Sequence, residues 1–358
     1  MDERVRAIVV RPGDSVGDAL RRMDASGGRI VLVTDDDGTL RGVATDGDMR
    51  RWIIAGRTLD DPVSAAMNPR PHVLRQGYQR EAAERLMGEG RYECLPVVDG
   101  AGHVVDAVWW HDLIEGRPGI RRSALGLPVV IMAGGRGTRL APYTNVLPKP
   151  LVPIGDTPIA QLIMERFAEW GCHDFTLLLN HKASLIRAYF AELDVPYRVD
   201  FVVEPAPLGT AGGLALLTDR LSTTFFLSNT DVLVETDYES LLRAHRESAN
   251  DLTVVASMRR FTVPYGVCQV ADAGRLTGIS EKPSYDHLVS TGLYVMEPGV
   301  LADVPRDAPS DVTDLIGALL ARGRRLGVYP VSEGAWLDMG SLDPLREMLE
   351  RLGEGDRG

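Results

Sequence analysis

Four glycines, two arginines and one lysine are concentrated in residues 129–155, VVIMAGGRGTRLAPYTNVLPKPLVPIG. Gly134, Gly135 and Gly137 follow a short apolar run. They can take backbone angles closed to other residues and let phosphate oxygens approach main-chain amides. Arg136 and Arg139 add positive charge beside that turn. The spacing matches neither the GxGxxG of dinucleotide-binding folds nor the GxxxxGKS/T of P-loop ATPases, which tells against both. Lys149, between Pro148 and Pro150, is the second signal. Only three of the 39 basic residues are lysine: Lys149, Lys182 and Lys282. A chain this biased toward arginine is expected to keep lysine where a compact point charge on a flexible stem is needed and a planar fork does not serve. The two proline rings limit the backbone around Lys149. Lys282 lies in EKP. Lys182, in NHKASLI, follows an apolar run, precedes a helical pattern and reads as structural.

These residues need elements to position them. Apolar runs VVIMA, FTLLLN, TFFLSNTDVLV and DLTVVASM alternate with the amphipathic stretches IAQLIMERFAEWG and ASLIRAYFAEL. That alternation predicts an α/β domain whose mostly parallel sheet is covered on both faces. Such sheets take ligands beyond the carboxyl ends of their strands. The glycine turn follows the first run, and Asp231 closes a later one.

The first 115 residues are written differently. GDALRRM (17–23) and the following GRIVLVTDDDGTLRGVATDGDM read helix, strand, turn, strand and helix start. EAAERLM (81–87) and ECLPVVDGAGHVVDAVWWHDLI repeat that order. Met23 aligns with Met87, Val33 with Val97 and Asp48 with Asp112, always 64 residues apart. A constant offset means two copies of one small α/β unit, each too small to bury much core alone, so the copies are expected to pack on each other. EGRPGIRRSALG (115–126) has no periodicity and reads as a linker.

Composition narrows the partners. At 358 residues the chain suits two or three domains. A net charge of −11 tells against nucleic acid or an anionic membrane surface, though a local basic pocket for a small phosphorylated substrate remains compatible. Cys94, Cys172 and Cys268 are odd in number and lack CxxC spacing, as expected of reduced thiols in a cytoplasmic protein. The acidic start MDERVRAIVV is unlike a signal peptide, and no apolar stretch reaches about 18 residues, so a soluble cytoplasmic protein is expected. The seven histidines show no ligand spacing, which tells against zinc.

GGRGTRLAPYTNVLPKPLVPIG resembles the signature of the sugar-1-phosphate nucleotidyltransferases. EPAPLGTAGGL (204–214), SNTDVL (228–233), EKP (281–283) and WLDMGS (336–341) follow in that family's order. The resemblance implies a Rossmann-like α/β domain with a mostly parallel mixed sheet over residues 128–352, followed by a tail at 353–358. It implies in-line attack of a sugar phosphate oxygen on the α-phosphorus of a nucleoside triphosphate, with pyrophosphate leaving. Arg139 and Lys149 would meet the phosphates, and Asp231 and Asp338 would hold Mg²⁺. Ala133, Gly134, Gly135, Gly137, Thr138 and Gly209 would frame the nucleotide. Gly266, Glu281 and Lys282 would bind the sugar phosphate. Many relatives have glycine before the metal aspartate; Thr230 stands there in this chain and would narrow the sugar pocket.

The first 116 residues resemble a tandem pair of cystathionine-β-synthase-type (CBS) domains, with copies at 1–60 and 61–116 and a linker at 117–127. That resemblance implies a regulatory adenosine-type nucleotide held by Thr45 and Asp48. The second copy departs, with Trp109 in the place of Thr45 and Asp106 in that of Gly42; a docking or oligomerisation module without a ligand is the alternative. Self-association is expected of both domain types. PLGTAGGL is more like the guanylyltransferases than the thymidylyltransferases. Fusion to a CBS pair resembles the glucosamine-1-phosphate guanylyltransferases of legionaminic acid biosynthesis. The resemblance therefore favours GTP and glucosamine 1-phosphate, giving GDP-glucosamine. Mannose-1-phosphate guanylyl transfer, another nucleotide, or a catalytically silent nucleotide-sugar-binding regulator are the alternatives. Retention of Arg139, Lys149, Asp231, Lys282 and Asp338 favours catalysis.

Overall fold

The computed structural model describes residues 3–90, 92–110, 113, 124–306 and 308–338. Asp112, most of the 117–127 linker, the end of WLDMGS and the 353–358 tail lie outside the described residues. Two compact units are present: Met1–Ile120 with Pro330–Gly334, and Arg121–Tyr329 with Ala335–Gly358.

The first unit carries helices α1 (Glu3–Ala7), α2 (Val16–Ser26), α3 (Asp46–Ile54), α4 (Val63–Ala66) and α5 (Arg80–Gly90). Its strands are β1 (Val9–Val10), β2 (Ile30–Thr34), β3 (Leu40–Thr45), β4 (Leu74–Arg75), β5 (Cys94–Val98) and β6 (Val104–Trp109). They form two three-stranded sheets, β1-β2-β3 and β4-β5-β6. The 64-residue offset extends to strand register: Val10 pairs with Val33 as Leu74 does with Val97, and Ile30 with Thr45 as Cys94 does with Trp109. The copies bond reciprocally, Leu40 N to Gly102 O and Val104 N to Gly38 O, both at 3.0 Å. Val5, Ile8, Leu32 and Val43 of one copy share a core with Cys94, Val98 and Val104 of the other. Neither half has enough apolar surface to close without its counterpart.

The second unit is an α/β fold around a seven-stranded sheet. Its strands are β7 (Val129–Met132), β10 (Asp174–Leu179), β11 (Arg198–Val203), β12 (Phe225–Asn229), β14 (Leu252–Thr262), β17 (Ser284–Met296) and β18 (Leu326–Val331). β8 (Pro153–Ile154) with β9 (Thr157–Pro158), β13 (Val232–Val234) with β19 (Trp336–Asp338), and β15 (Val267–Val270) with β16 (Leu276–Ser280) make two-stranded ribbons. The large sheet runs β11-β10-β7-β12-β17-β14-β18. The first four strands are mutually parallel, and β17 is antiparallel to both of its neighbours. The helices are α6 (Tyr143–Val146), α7 (Ile159–Ala168), α8 (Ala183–Ala191), α9 (Tyr238–Glu247) and α10 (Val312–Ala321).

Successive strand residues face opposite sides of a sheet. Phe225 accordingly joins Leu227, Leu315 and Leu319 in one core. Phe226 stacks on Phe167 and Tyr238, with ring centroids 5.2 and 5.7 Å away. Both faces are covered, as the apolar runs predicted. The run TFFLSNTDVLV, however, is two strands: β13 leaves the large sheet and pairs with β19, Val232 opposite Asp338. Thr230 and Asp231 occupy the break, where a carboxylate need not sit inside a ladder. Among the described residues no helix is long and apolar enough to cross a membrane. The three cysteines are thiols, Cys94 and Cys172 buried and Cys268 exposed.

Candidate functional site

The parallel strands β7, β10 and β12 end on one edge of the sheet. After them come the glycine turn, Lys182 and Asp231, respectively. Gly137 has φ +64°, and a Cβ there would lie 2.9 Å from both Lys149 Cβ and Thr144 Cγ2. The turn is therefore glycine because the Lys149 stem packs against its backbone. Thr144 Oγ1 donates to Gly137 O at 2.9 Å, closing the same knot. Lys149 itself opens a 3-10 turn, Lys149–Leu151, in which Leu151 N donates to Pro148 O. The flanking prolines thus hold the lysine at the start of a fixed turn.

The Nζ of Lys149 lies 2.5 Å from an Asp231 carboxylate oxygen, and Arg139 approaches the same oxygen at 3.9 Å. Side-chain exposures are 15% for Lys149, 10% for Asp231 and 71% for Arg139. The lysine–aspartate pair is sheltered, while the guanidinium is presented outward beside it. Arg139 rides on the 3-10 turn Thr138–Leu140 that Gly137 initiates. Asp338 ends β19 opposite Val232, next in register to Asp231. Arg259 stacks over Trp336 at 4.8 Å at the start of that strand. Thr230 is buried beside Asp231. Carboxylate oxygens are the donor type a hard divalent cation takes, with phosphate oxygens and water completing its shell. No group of three or more His, Cys, Asp or Glu side chains able to hold a metal occurs among the described residues.

Glu204 is a residue that sequence reasoning missed. It follows β11, is buried, and has one carboxylate oxygen 3.3 Å from where a Gly134 Cβ would stand. A Cβ on Gly213 would overlap its other oxygen. Burial raises its pKa above the usual 4.5, against a hydrogen bond from the Leu208 amide that lowers it. The available signal was Glu204 opening EPAPLGTAGG, a carboxylate at the head of a glycine-rich stretch. Ala133 continues β7, its amide donating to Leu178 O at 2.8 Å. Gly135 is exposed. Gly209, φ +80°, faces elsewhere: a Cβ would meet Ser310 O at 2.6 Å and Asp311 Oδ1 at 2.9 Å. It fits closely against the residues that start α10.

Gly266, Glu281 and Lys282 come together at one end of the β15–β16 ribbon, where Val267 pairs with Ser280. A Cβ on Gly266 would lie 3.1 Å from Glu281 Oε2. Lys282 holds a left-handed backbone, φ 46°, and its side chain is exposed. In the first unit Thr45 and Asp48 form a capping box on α3: Thr45 Oγ1 lies 2.6 Å from Asp48 Oδ2, and each side chain accepts from the other's backbone amide. Trp109, in the equivalent place of the second copy, is covered by the Arg4 guanidinium at 4.3 Å.

A nucleotidyl transferase family model matches residues 128–354, and a CBS domain model matches residues 3–55. Among curated relatives, mannose-1-phosphate guanyltransferase of Saccharomyces cerevisiae is 31% identical over 59% of this chain and 60% of its own length. UTP–glucose-1-phosphate uridylyltransferase of Synechocystis is 29% identical over 60% of this chain and 61% of its own. The chain therefore spans about three-fifths of the length of the curated relatives it matches. Among solved structures, HddC from Yersinia pseudotuberculosis superposes with a TM-score of 0.51 at 26% identity, covering 63% of this chain and 99% of HddC. The chain belongs to the nucleotidyl transferase family, with a CBS domain at its N-terminal end.

Proposed function

We propose that this member of the nucleotidyl transferase family catalyses guanylyl transfer from GTP to an α-hexosamine 1-phosphate, glucosamine 1-phosphate first, with release of pyrophosphate. One observation carries the reading: a sheltered Lys149–Asp231 pair packed on the glycine turn, with Arg139 presented beside it. A sugar phosphate oxygen forms the new bond to the α-phosphorus as the bond to the bridging oxygen of pyrophosphate breaks. Charge gathers on oxygens already crowded with charge, so neutralisation and positioning dominate the rate. Lys149 supplies a fixed point charge to those oxygens. Arg139 meets the triphosphate as it enters. Lys282, with Glu281 and the Gly266 backbone, receives the sugar phosphate. Asp231 and Asp338 would hold Mg²⁺, which would neutralise phosphate charge when bound.

Glu204 supports guanine. Gly134 and Gly213, the residues it touches, belong to the two segments assigned to the nucleotide frame. A carboxylate accepts two hydrogen bonds side by side. Guanine offers N1–H and the N2 amino group along one edge, whereas uracil offers one N–H between two carbonyl oxygens that a carboxylate repels. Glucosamine is favoured by the union of a CBS domain with this catalytic type; mannose 1-phosphate is the alternative acceptor. The experiment is pyrophosphate release from GTP, UTP, CTP, dTTP and ATP, each crossed with glucosamine, mannose and glucose 1-phosphates. Glu204→Gln should relax the preference for GTP. If the wild-type enzyme prefers UTP or dTTP, the guanine assignment is wrong.

A further inference from the structure

Lys182 is the lysine to which no role in the chemistry has been assigned. It lies just beyond the carboxyl end of β10 and precedes α8 with a left-handed backbone, φ 52° and ψ 35°. An L residue enters that region at about 1–2 kcal/mol, and Lys182 makes no side-chain cap on its own helix. Its Nζ reaches away instead. It donates to Thr144 O at 3.1 Å, Asn145 O at 2.9 Å and Val146 O at 2.9 Å. These are three consecutive carbonyls of α6. Carbonyls at the end of a helix lack intrahelical partners, and a cation there is favoured. An ammonium has three donors arranged about a point, so every one is used. A guanidinium spreads its donors in a plane and cannot serve three carbonyls that converge on one centre.

We infer that Lys182 is a positioning residue for Lys149, anchoring the α6 segment to the carboxyl end of β10. The inference rests on reading Lys149 as the residue that meets the phosphates. Lys149 follows α6 by three residues. Thr144 joins the two lysines: its carbonyl accepts from Lys182, and its hydroxyl donates to Gly137 O. Gly137 in turn packs against the Lys149 stem. The backbone of the glycine turn is tied to the same strand end, since His181 N donates to Gly134 O at 3.4 Å. Lys182 thus closes a ring of contacts around Lys149, and its type is explained by the tripod and not by charge alone.

The test uses the full chain with Lys182→Met and Lys182→Arg, each first checked by circular dichroism and thermal unfolding. With GTP and glucosamine or mannose 1-phosphate, both variants should lose about 10²-fold in kcat, the scale of a misplaced group. KM for GTP should stay within about threefold. On a Lys149→Gln background, Lys182→Met should change kcat less than about threefold, because its effect passes through Lys149. The three lysines also permit a readout without turnover. With ε-carbon-labelled lysine, Lys182→Met should shift the Lys149 NMR signal and leave that of Lys282 in place. A folded Lys182→Met protein with wild-type kcat and an unmoved Lys149 signal overturns the inference, as does rescue by Lys182→Arg or an equal loss on the Lys149→Gln background. Full activity of Lys149→Gln would instead overturn the reading of Lys149, and the NMR shift would then decide the positioning claim by itself.

Discussion

Thr45–Asp48 and Lys149–Asp231 are both short polar pairs in segments marked by motif, and they are built in opposite ways. The first joins residues three apart, across the first turn of α3, and satisfies the amides that any helix start leaves open. The second joins a residue held by two prolines to one in a break between strands, far apart in sequence. A pair that local geometry makes by itself does structural work whatever else it does. Bringing a lysine and an aspartate together at the carboxyl edge of a parallel sheet takes the whole fold, and desolvating them costs stability that packing must offset. The distant pair is therefore the better mark of a site.

Substitutions in the distant pair should have the largest effect. Asp231→Asn and Lys149→Gln should each lower kcat for pyrophosphate release by about 10³-fold, the range for removing a preorganised charge from a reacting centre. Near-normal turnover by both would reduce the pair to a structural ion pair. Gly137→Ala comes next. Its Cβ would meet Lys149 and Thr144 at 2.9 Å with φ at +64°, so strain of about 1–3 kcal/mol is expected by denaturant titration, together with loss of turnover. Thr45→Ala should remove about 1 kcal/mol from the first unit, the usual worth of an N-cap. Turnover measured without added regulatory nucleotide should not change.

The smallest effect sharpens the contrast with a third polar group, one that is buried for stability. His245, on α9, lies 2.8 Å from Thr253 Oγ1 and 3.2 Å from Glu297 Oε1. Burial lowers its pKa below 6.5, although Glu297 opposes the shift. The unfolded chain then takes up the proton first, so stability is full above about 6.5 and falls as pH drops through the folded-state pKa. Denaturant midpoints taken between about pH 7.5 and about pH 5.5 should show that loss, and His245→Gln should flatten it.

Much of this was legible in the sequence because it is local or periodic. The apolar runs became the central strands, and the 64-residue repeat recurs in the register of β2 with β3 and of β5 with β6. The glycine turn and Lys149 were visible as motif and as rarity. Glu204 was not, because its meaning lies in which glycines it touches across the turn. Nor could the sequence tell that TFFLSNTDVLV breaks at Asp231, since β19, the partner that draws β13 away, comes about a hundred residues later. From sequence alone Lys182 reads as structural. Its three carbonyl partners could not be read there, because they lie 36 to 38 residues earlier in the chain.

The most direct measurement is steady-state pyrophosphate release by the wild-type chain and Asp231→Asn, with Mg²⁺, GTP and glucosamine or mannose 1-phosphate. Wild-type turnover should exceed the rate with UTP and fall by about 10³-fold in the variant. Equal rates in the two proteins would contradict this, because the Lys149–Asp231 cluster would then not be where the reaction occurs.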